Sequence, residues 1–195
     1  MRKALSLLVG IIGLCLFGHG AYIGAKAALA QVLLERAWVK IETGQVSTTT
    51  PWPWLDANVA ARLEAPHLGK SAIVLDIDSG QALAFGPTLI SGTARPGERG
   101  TIGLAAHKNT HFNFLKDLKS GDTLTLKHAE GAQDYIVRQA EIIDIRDKSL
   151  TIDTTASELA LVTCYPFNSV SFNGPLRYIV YAEAVRRADA NITQI

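Results

Sequence analysis

LALVTCY (residues 159–165) and RYIVYAEAV (177–185) decide the fold class. Both are short and dense in β-branched or aromatic residues, with partial alternation, and the segment between them carries Pro166 and the pair Gly174-Pro175. That is the pattern of two strands joined by a turn-rich loop and not of a helix. The same texture extends towards the N-terminus through QDYIVRQAEIIDI (133–145), DTLTLKH (122–128), GTIGLAA (100–106) and SAIVLDI (71–77). Turn signals separate these runs at Ser79-Gly80, Pro96-Gly97, Ser120-Gly121 and Glu130-Gly131. One short helix is expected over HFNFLKDL (111–118), with Thr110 as its cap and Phe112, Leu115 and Leu118 on one face. Short strands at even spacing with one small helix predict a mainly β domain, a closed barrel or a sandwich.

The N-terminal end is of another kind. After Arg2 and Lys3, residues 4–25 carry no charge until Lys26, and these 22 residues are long enough to cross a bilayer as a helix. Ala-x-Ala sites at 25–27 and 28–30 lie well beyond the apolar core that ends at Phe17, which favours an uncleaved anchor over a removable signal. Arg2 and Lys3 predict the N-terminus inside and the remainder outside. Cys15 reads as a passive apolar residue within the span. AALAQVLLERAWVKIE (27–42) continues as a helix, with Gly44 as a stop, and the proline-broken QVSTTTPWPW (45–54) reads as part of a linker. Trp52 and Trp54 are expected to pack on the domain, because some four helical turns separate them from the bilayer. The expected organisation is therefore an anchor (1–25), a helical stalk (26–44), a linker (45–63), a β domain (64–186) and a polar tail (187–195).

Composition removes several functions. Lys and Arg number 19 against 18 Asp and Glu, a balance without the basic excess of a nucleic-acid binder. Two cysteines provide neither a disulfide framework nor a CxxC zinc pair. The spacing His107-x3-His111, with Cys164, would suit zinc, but no well-placed carboxylate completes a ligand set, and no carboxylate cluster of the calcium-loop type is present. No metal and no cofactor are expected. His67 and His128 read as surface residues among polar neighbours.

The remaining chemistry converges on three residues. Cys164 ends the strand LALVT, His107 ends the strand GLAA, and Arg177 opens the strand that follows YPFNSVSFNGPL. A strand end can hold a reactive group rigidly and leave it open to a substrate. Breaking a peptide bond through a covalent intermediate needs a thiolate, an acid for the leaving amine and a donor for the developing oxyanion; Cys164, His107 and Arg177 offer one each. Ordinary thiols and imidazoles titrate near 8.5 and 6.5, so at pH 7 roughly 3% and 24% of such groups are charged, and the doubly charged pair is below about 1%. His107 then acts first as general acid and later as the base for an incoming amine. Arg177 is permanently cationic and presents a fixed fork of donors.

LVTC (161–164), AAHKNTHF (105–112) and GPLRYIVYA (174–182) resemble the corresponding motifs of the sortases, cysteine transpeptidases of bacterial surfaces. PWPW, ALAFGP, GTARPGERG, THFNFL and LVTCYPF make the marine proteobacterial type the most similar subgroup. The resemblance runs from about Pro51 to Ala184. It implies an eight-stranded barrel, a single N-terminal anchor in the inner membrane and a periplasmic catalytic domain. It also implies His107, Cys164 and Arg177 as the catalytic set, and a secreted substrate carrying a C-terminal LPxTG-like sorting signal, often a dedicated partner protein. Thr163, Tyr165 and Ala106 are the candidate substrate contacts on the same ground, Thr163 through its backbone, since its side chain points to the strand face opposite Cys164. The family usually has Gly before the histidine and often Arg-Asp after it, where this chain has Ala106, Lys108 and Asn109. The same site used with water would be a peptidase, and with an unreactive Cys164 a binding barrel.

Overall fold

The structure is a computed structural model that describes residues 2–77, 79–169 and 174–185, with side chains from residue 10 onward. The polar tail expected at 187–195 lies outside the described residues. Eight strands close into one barrel: β1 (Val59–Ala65), β2 (Lys70–Leu75), β3 (Thr88–Leu89), β4 (Gly100–Ala105), β5 (Thr123–His128), β6 (Gly131–Asp144), β7 (Ser157–Cys164) and β8 (Leu176–Ala184). Around the barrel the order is β1-β2-β3-β4-β7-β8-β6-β5, closed by the antiparallel pairing of β5 with β1. The mainly β barrel with an N-terminal apolar helix is thus present, and all six runs read as strands are strands.

Two strands escape the sequence pattern. β1 reads VAARLEA, poor in strand formers, yet its burial alternates strictly because β2 and β5 pair with it on both sides. It begins at Val59, inside the stretch read as linker. β3 is two residues long. Ser79-Gly80, read as a turn, instead opens a short helix, α2 (Gly80–Leu83), whose Ala82 amide donates to Ser79 Oγ at 3.1 Å. The short helix expected over 111–118 is a 3-10 helix at Asn113–Asp117 with Phe112 at its N-cap, so Thr110 does not cap it. Phe112 and Leu115, three apart and both fully buried, suit the tighter three-residue period.

Inward-facing residues of all eight strands, among them Leu63, Leu104, Leu126, Leu161 and Val180, fill the barrel with Phe112 and Leu115 from the 3-10 segment. A smaller cluster outside the barrel joins Ile143, Ala160, Ile179 and Tyr181, with Leu150 and Val162 against it.

The N-terminal helix, α1 (Arg2–Glu42), runs unbroken through the stretches read as anchor and stalk. Its last turns are part of the fold: Leu34, Ala37, Trp38 and Ile41 are buried with Val59, Ile73 and Leu75 of β1 and β2. Arg62 on β1 donates to Glu35 at 3.0 Å, and Gln31 Nε2 donates to the Phe85 carbonyl at 2.9 Å. The helix stops at Gly44 in the left-handed conformation (φ 70°). The Gly44 and Gln45 amides donate to the carbonyls of Ile41 and Lys40, both at 2.9 Å, the paired bonds of a glycine-terminated helix. The chain then reverses along α1. Trp52 is buried and meets Phe85 edge-on at 5.0 Å, as expected of a packed residue. Trp54 does not pack in this way: it is 77% exposed and returns to the level of Tyr22 and Lys26, because the reversed linker carries it back towards the apolar end of α1.

Candidate active site at the ends of three adjacent strands

β7 lies between β4, which is parallel to it, and β8, which is antiparallel. Cys164 is therefore flanked on both sides. On β8 its register partner is Arg177. The neighbouring pair Tyr165 and Leu176 is joined by a hydrogen bond of 3.0 Å from the Tyr165 amide to the Leu176 carbonyl. Pairs alternate along an antiparallel ladder, so Cys164 and Arg177 form a non-hydrogen-bonded pair, the kind whose side chains stand closest. On β4 the register ends at Ala105 opposite Val162, and the Ala106 amide reaches the Val162 carbonyl at 3.2 Å. Two residues past that last pair, the chain leaving β4 reaches His107, on the Cys164 side of the β4–β7 ladder.

Alternation fixes the direction of each side chain. Leu159 and Leu161 on β7, Ile102, Leu104 and Ala106 on and just past β4, and Val180 and Ala182 on β8 belong to the barrel core. Cys164 on β7 and Arg177 on β8, one step out of phase, face outward, and His107 follows the inward Ala106 two residues past the end of β4. All three are half-buried. The sulfur is thus on the outer wall and open to approach, above the apolar outer cluster in which Ile179 is buried and Val162 packs.

Thr163 and Ala106 point the other way. Thr163 is buried, and its Oγ1 donates to the Ala106 carbonyl at 2.7 Å, fastening the chain that leads into His107 to the residue before Cys164. Their side chains frame the site from inside and do not reach the outer wall. Tyr165 lies at the rim: its ring stacks on Tyr178 at 6.3 Å and meets Phe167 edge-on at 6.2 Å, while Phe167 contacts Tyr178 at 5.2 Å. Burial, and then the neighbouring Tyr165, raises the Tyr178 phenol above its usual value of 10.

Each functional group has local support. The His107 carbonyl accepts from the Phe112 amide at 3.1 Å, closing the loop onto the buried Phe112. Arg177 Nη1 donates to the carbonyls of Gly174 at 2.8 Å and Leu176 at 3.0 Å; Nε and Nη2 make no hydrogen bond among the described residues. The guanidinium is thereby aimed with donors to spare. Lys108, only 2% exposed, sends Nζ 2.7 Å to the Pro166 carbonyl, tying the histidine loop to the turn after Cys164. The sequence marks Lys108 only as a departure from the family pattern, because its partner lies 58 residues away. His111 stands near enough to His107 to feel its charge; burial first, and that charge second, lower its imidazole from 6.5. No group of three or more potential metal-binding side chains occurs among the described residues. His67 is exposed, whereas His128 is half-buried against the Gly97 turn.

A thiol on β7, a guanidinium on β8 and an imidazole just past β4 are side chains that could serve as the parts of a cysteine acyl-transfer site. Comparison with known proteins agrees with that class. Sortase D of Bacillus subtilis (strain 168) is 28% identical over 198 residues, which span 95% of this chain and all of that protein. Among solved structures, a Clostridium perfringens Sortase D5 transpeptidase superposes with a TM-score of 0.65 at 19% identity, covering 82% of this chain and 99% of its own. A lid mutant of Sortase A from Corynebacterium diphtheriae gives 0.60 at 19% identity, covering 84% and 97%. At these identities the structural matches speak for the fold alone. The Sortase domain family model matches residues 63–185, from β1 to the end of β8, and the chain accordingly belongs to the sortase family.

Proposed function

We propose that this chain is a membrane-anchored transpeptidase that cleaves a C-terminal LPxTG-like sorting signal of a secreted protein and joins the new acyl end to an amine. The observation that carries the reading is the outward-facing Cys164 on β7, paired with Arg177 on β8 and flanked on its other side by β4, whose chain runs on into His107. In the first half-reaction the Cys164 thiolate attacks the scissile carbonyl while Arg177 donates to the developing oxyanion. The C–N bond breaks, the leaving amine takes a proton from the His107 imidazolium, and a thioester remains on Cys164. In the second, an amine attacks the thioester, His107 takes its proton, and the thiolate leaves. Atoms and charge balance without metal or cofactor.

The apolar floor formed by Val162 and Ile179 beneath the sulfur suits the leucine and proline of such a signal. Tyr165 stands at the rim as a further substrate contact. Thr163 and Ala106 contribute by holding the strand ends together. The uncharged run that starts behind Arg2 and Lys3 supports a single-pass inner-membrane anchor with the barrel on the periplasmic side.

The test is intact-mass analysis of the full chain in detergent after incubation with an LPxTG peptide. A thioacyl adduct is expected on wild type and not on Cys164→Ala. Added amine should divert the released product from free acid to amide; free acid alone would make the protein a peptidase. Undiminished turnover by Cys164→Ala would end the covalent mechanism.

A further inference from the structure

The reversal after Gly44 creates a feature that acyl transfer does not use. A groove of about 740 Å³ opens between the upper apolar part of α1 and the returning chain. Tyr22, Ile23, Lys26 and Leu29 form one wall, and Trp54 with Phe85 the other. Its lining is overwhelmingly apolar, and Tyr22, Ile23, Leu29 and Trp54 are all more than half exposed. Four large apolar side chains are left open beside one cation, and the Lys26 ammonium lies 5.4 Å from the Tyr22 ring centroid.

Position along the helix identifies what covers this groove. Residues 4–25 are uncharged, and at 1.5 Å per residue they span about 33 Å, the thickness of a bilayer hydrocarbon core plus its margin. None of the most apolar window of α1 is buried by protein. Lys26, the first charge after the run, falls where helix meets headgroups. Tyr22, one turn below it, falls at the acyl boundary. Trp54 belongs to a different part of the chain, yet stands at the same level, and a Trp beside a Tyr with a cation just above is the arrangement of a membrane-interface belt. The chain from Gly44 to Trp54 is long enough for this return. From Glu42, where the helix ends, to Lys26 the helix falls about 24 Å, and ten extended residues reach about 33 Å.

We propose that this groove is a phospholipid-binding surface: an acyl chain of the surrounding bilayer fills it between Tyr22 and Trp54, and Lys26 meets the phosphate above. The barrel then sits directly on the membrane, held by α1 and by the linker loop, and is not raised on a free stalk. The proposal rests on α1 being a membrane anchor.

The test uses the full chain reconstituted into phosphatidylglycerol–phosphatidylethanolamine vesicles containing lipid brominated near the headgroup end of the acyl chains. Trp38 and Trp52 are buried, so Trp54 is the responsive fluorophore. Bromolipid should quench wild-type emission, Trp54→Phe should lose most of that quenching, and Trp52→Phe should keep it. Failure of the chain to remain with vesicles after an alkaline wash would sink the anchor and the groove together. A vesicle-bound chain whose quenching is the same with and without Trp54 would sink the groove alone. Aqueous acrylamide would then separate a Trp54 left in water from one covered by a second copy of the chain.

Discussion

Along β4, β7 and β8, side chains alternate one by one between the inside and the outside of the barrel, yet the two sets answer to different constraints. Inward residues such as Leu104, Leu161 and Val180 are fully buried and locked by contact with several strands. Residues at the same strand ends, His107, Cys164 and Arg177, are half-buried and are positioned by backbone register and a few hydrogen bonds. These three side chains are therefore held by the frame behind them and not by their own packing. Chemistry can be removed from this wall with little loss of stability, and stability can be removed from the other side without touching a reacting atom.

The largest separation should come from the pair Cys164→Ala and Leu161→Ala. Cys164→Ala is expected to lower peptide cleavage by roughly 10³-fold or more, with the unfolding free energy within about 0.5 kcal/mol of wild type. Leu161→Ala, three residues earlier and inward, should cost about 2–5 kcal/mol in denaturant unfolding. Equal destabilisation by the two variants would mean that the sulfur is a core residue and would break the comparison. Arg177→Lys comes next. Lysine keeps the charge and loses the planar fork, so kcat should fall about 10²–10³-fold, with a smaller change in KM. A loss confined to KM would make Arg177 a binding residue with no part at the oxyanion. Thr163→Val is smaller and crosses from one face to the other. It leaves the inward Ala106 carbonyl without its 2.7 Å donor, at about 1–3 kcal/mol. By loosening the approach to His107 it should also lower kcat. Lost stability with kcat unchanged would confine Thr163 to the core.

The outer wall was the more legible of the two faces. Cys164 and His107 can be read directly where a hydrophobic run stops, and Arg177 where one begins. The frame was less legible where it depends on distant pairing. VAARLEA has three alanines and two charges in seven residues, and becomes β1 only because β2 and β5 supply partners on both edges. The lysine after His107 could not be recognised as a clamp, since a carbonyl acceptor has no sequence signature. Trp54 departs from expectation because four helical turns keep it from the apolar run only if the chain does not turn back; a reversal at Gly44 is legible as a helix stop, but not as a direction.

The smallest expected effect concerns pH and the histidine behind the site. His111 shares a cavity with Lys70 and Asp117, and burial followed by the charge of His107 lowers its imidazole from 6.5. A base whose folded-state pKa is lowered binds its proton less readily folded than unfolded. Its contribution to stability is thus intact above 6.5 and is lost as pH falls from 6.5 to the lower folded value. The slope from one such group cannot exceed about 1.4 kcal/mol per pH unit. His111→Asn removes the titration and keeps a polar side chain, so the difference between wild type and variant in unfolding free energy should bend towards the variant below pH 6.5 and stay flat above it. A difference that is flat across that window would show that protonation of His111 is not coupled to folding.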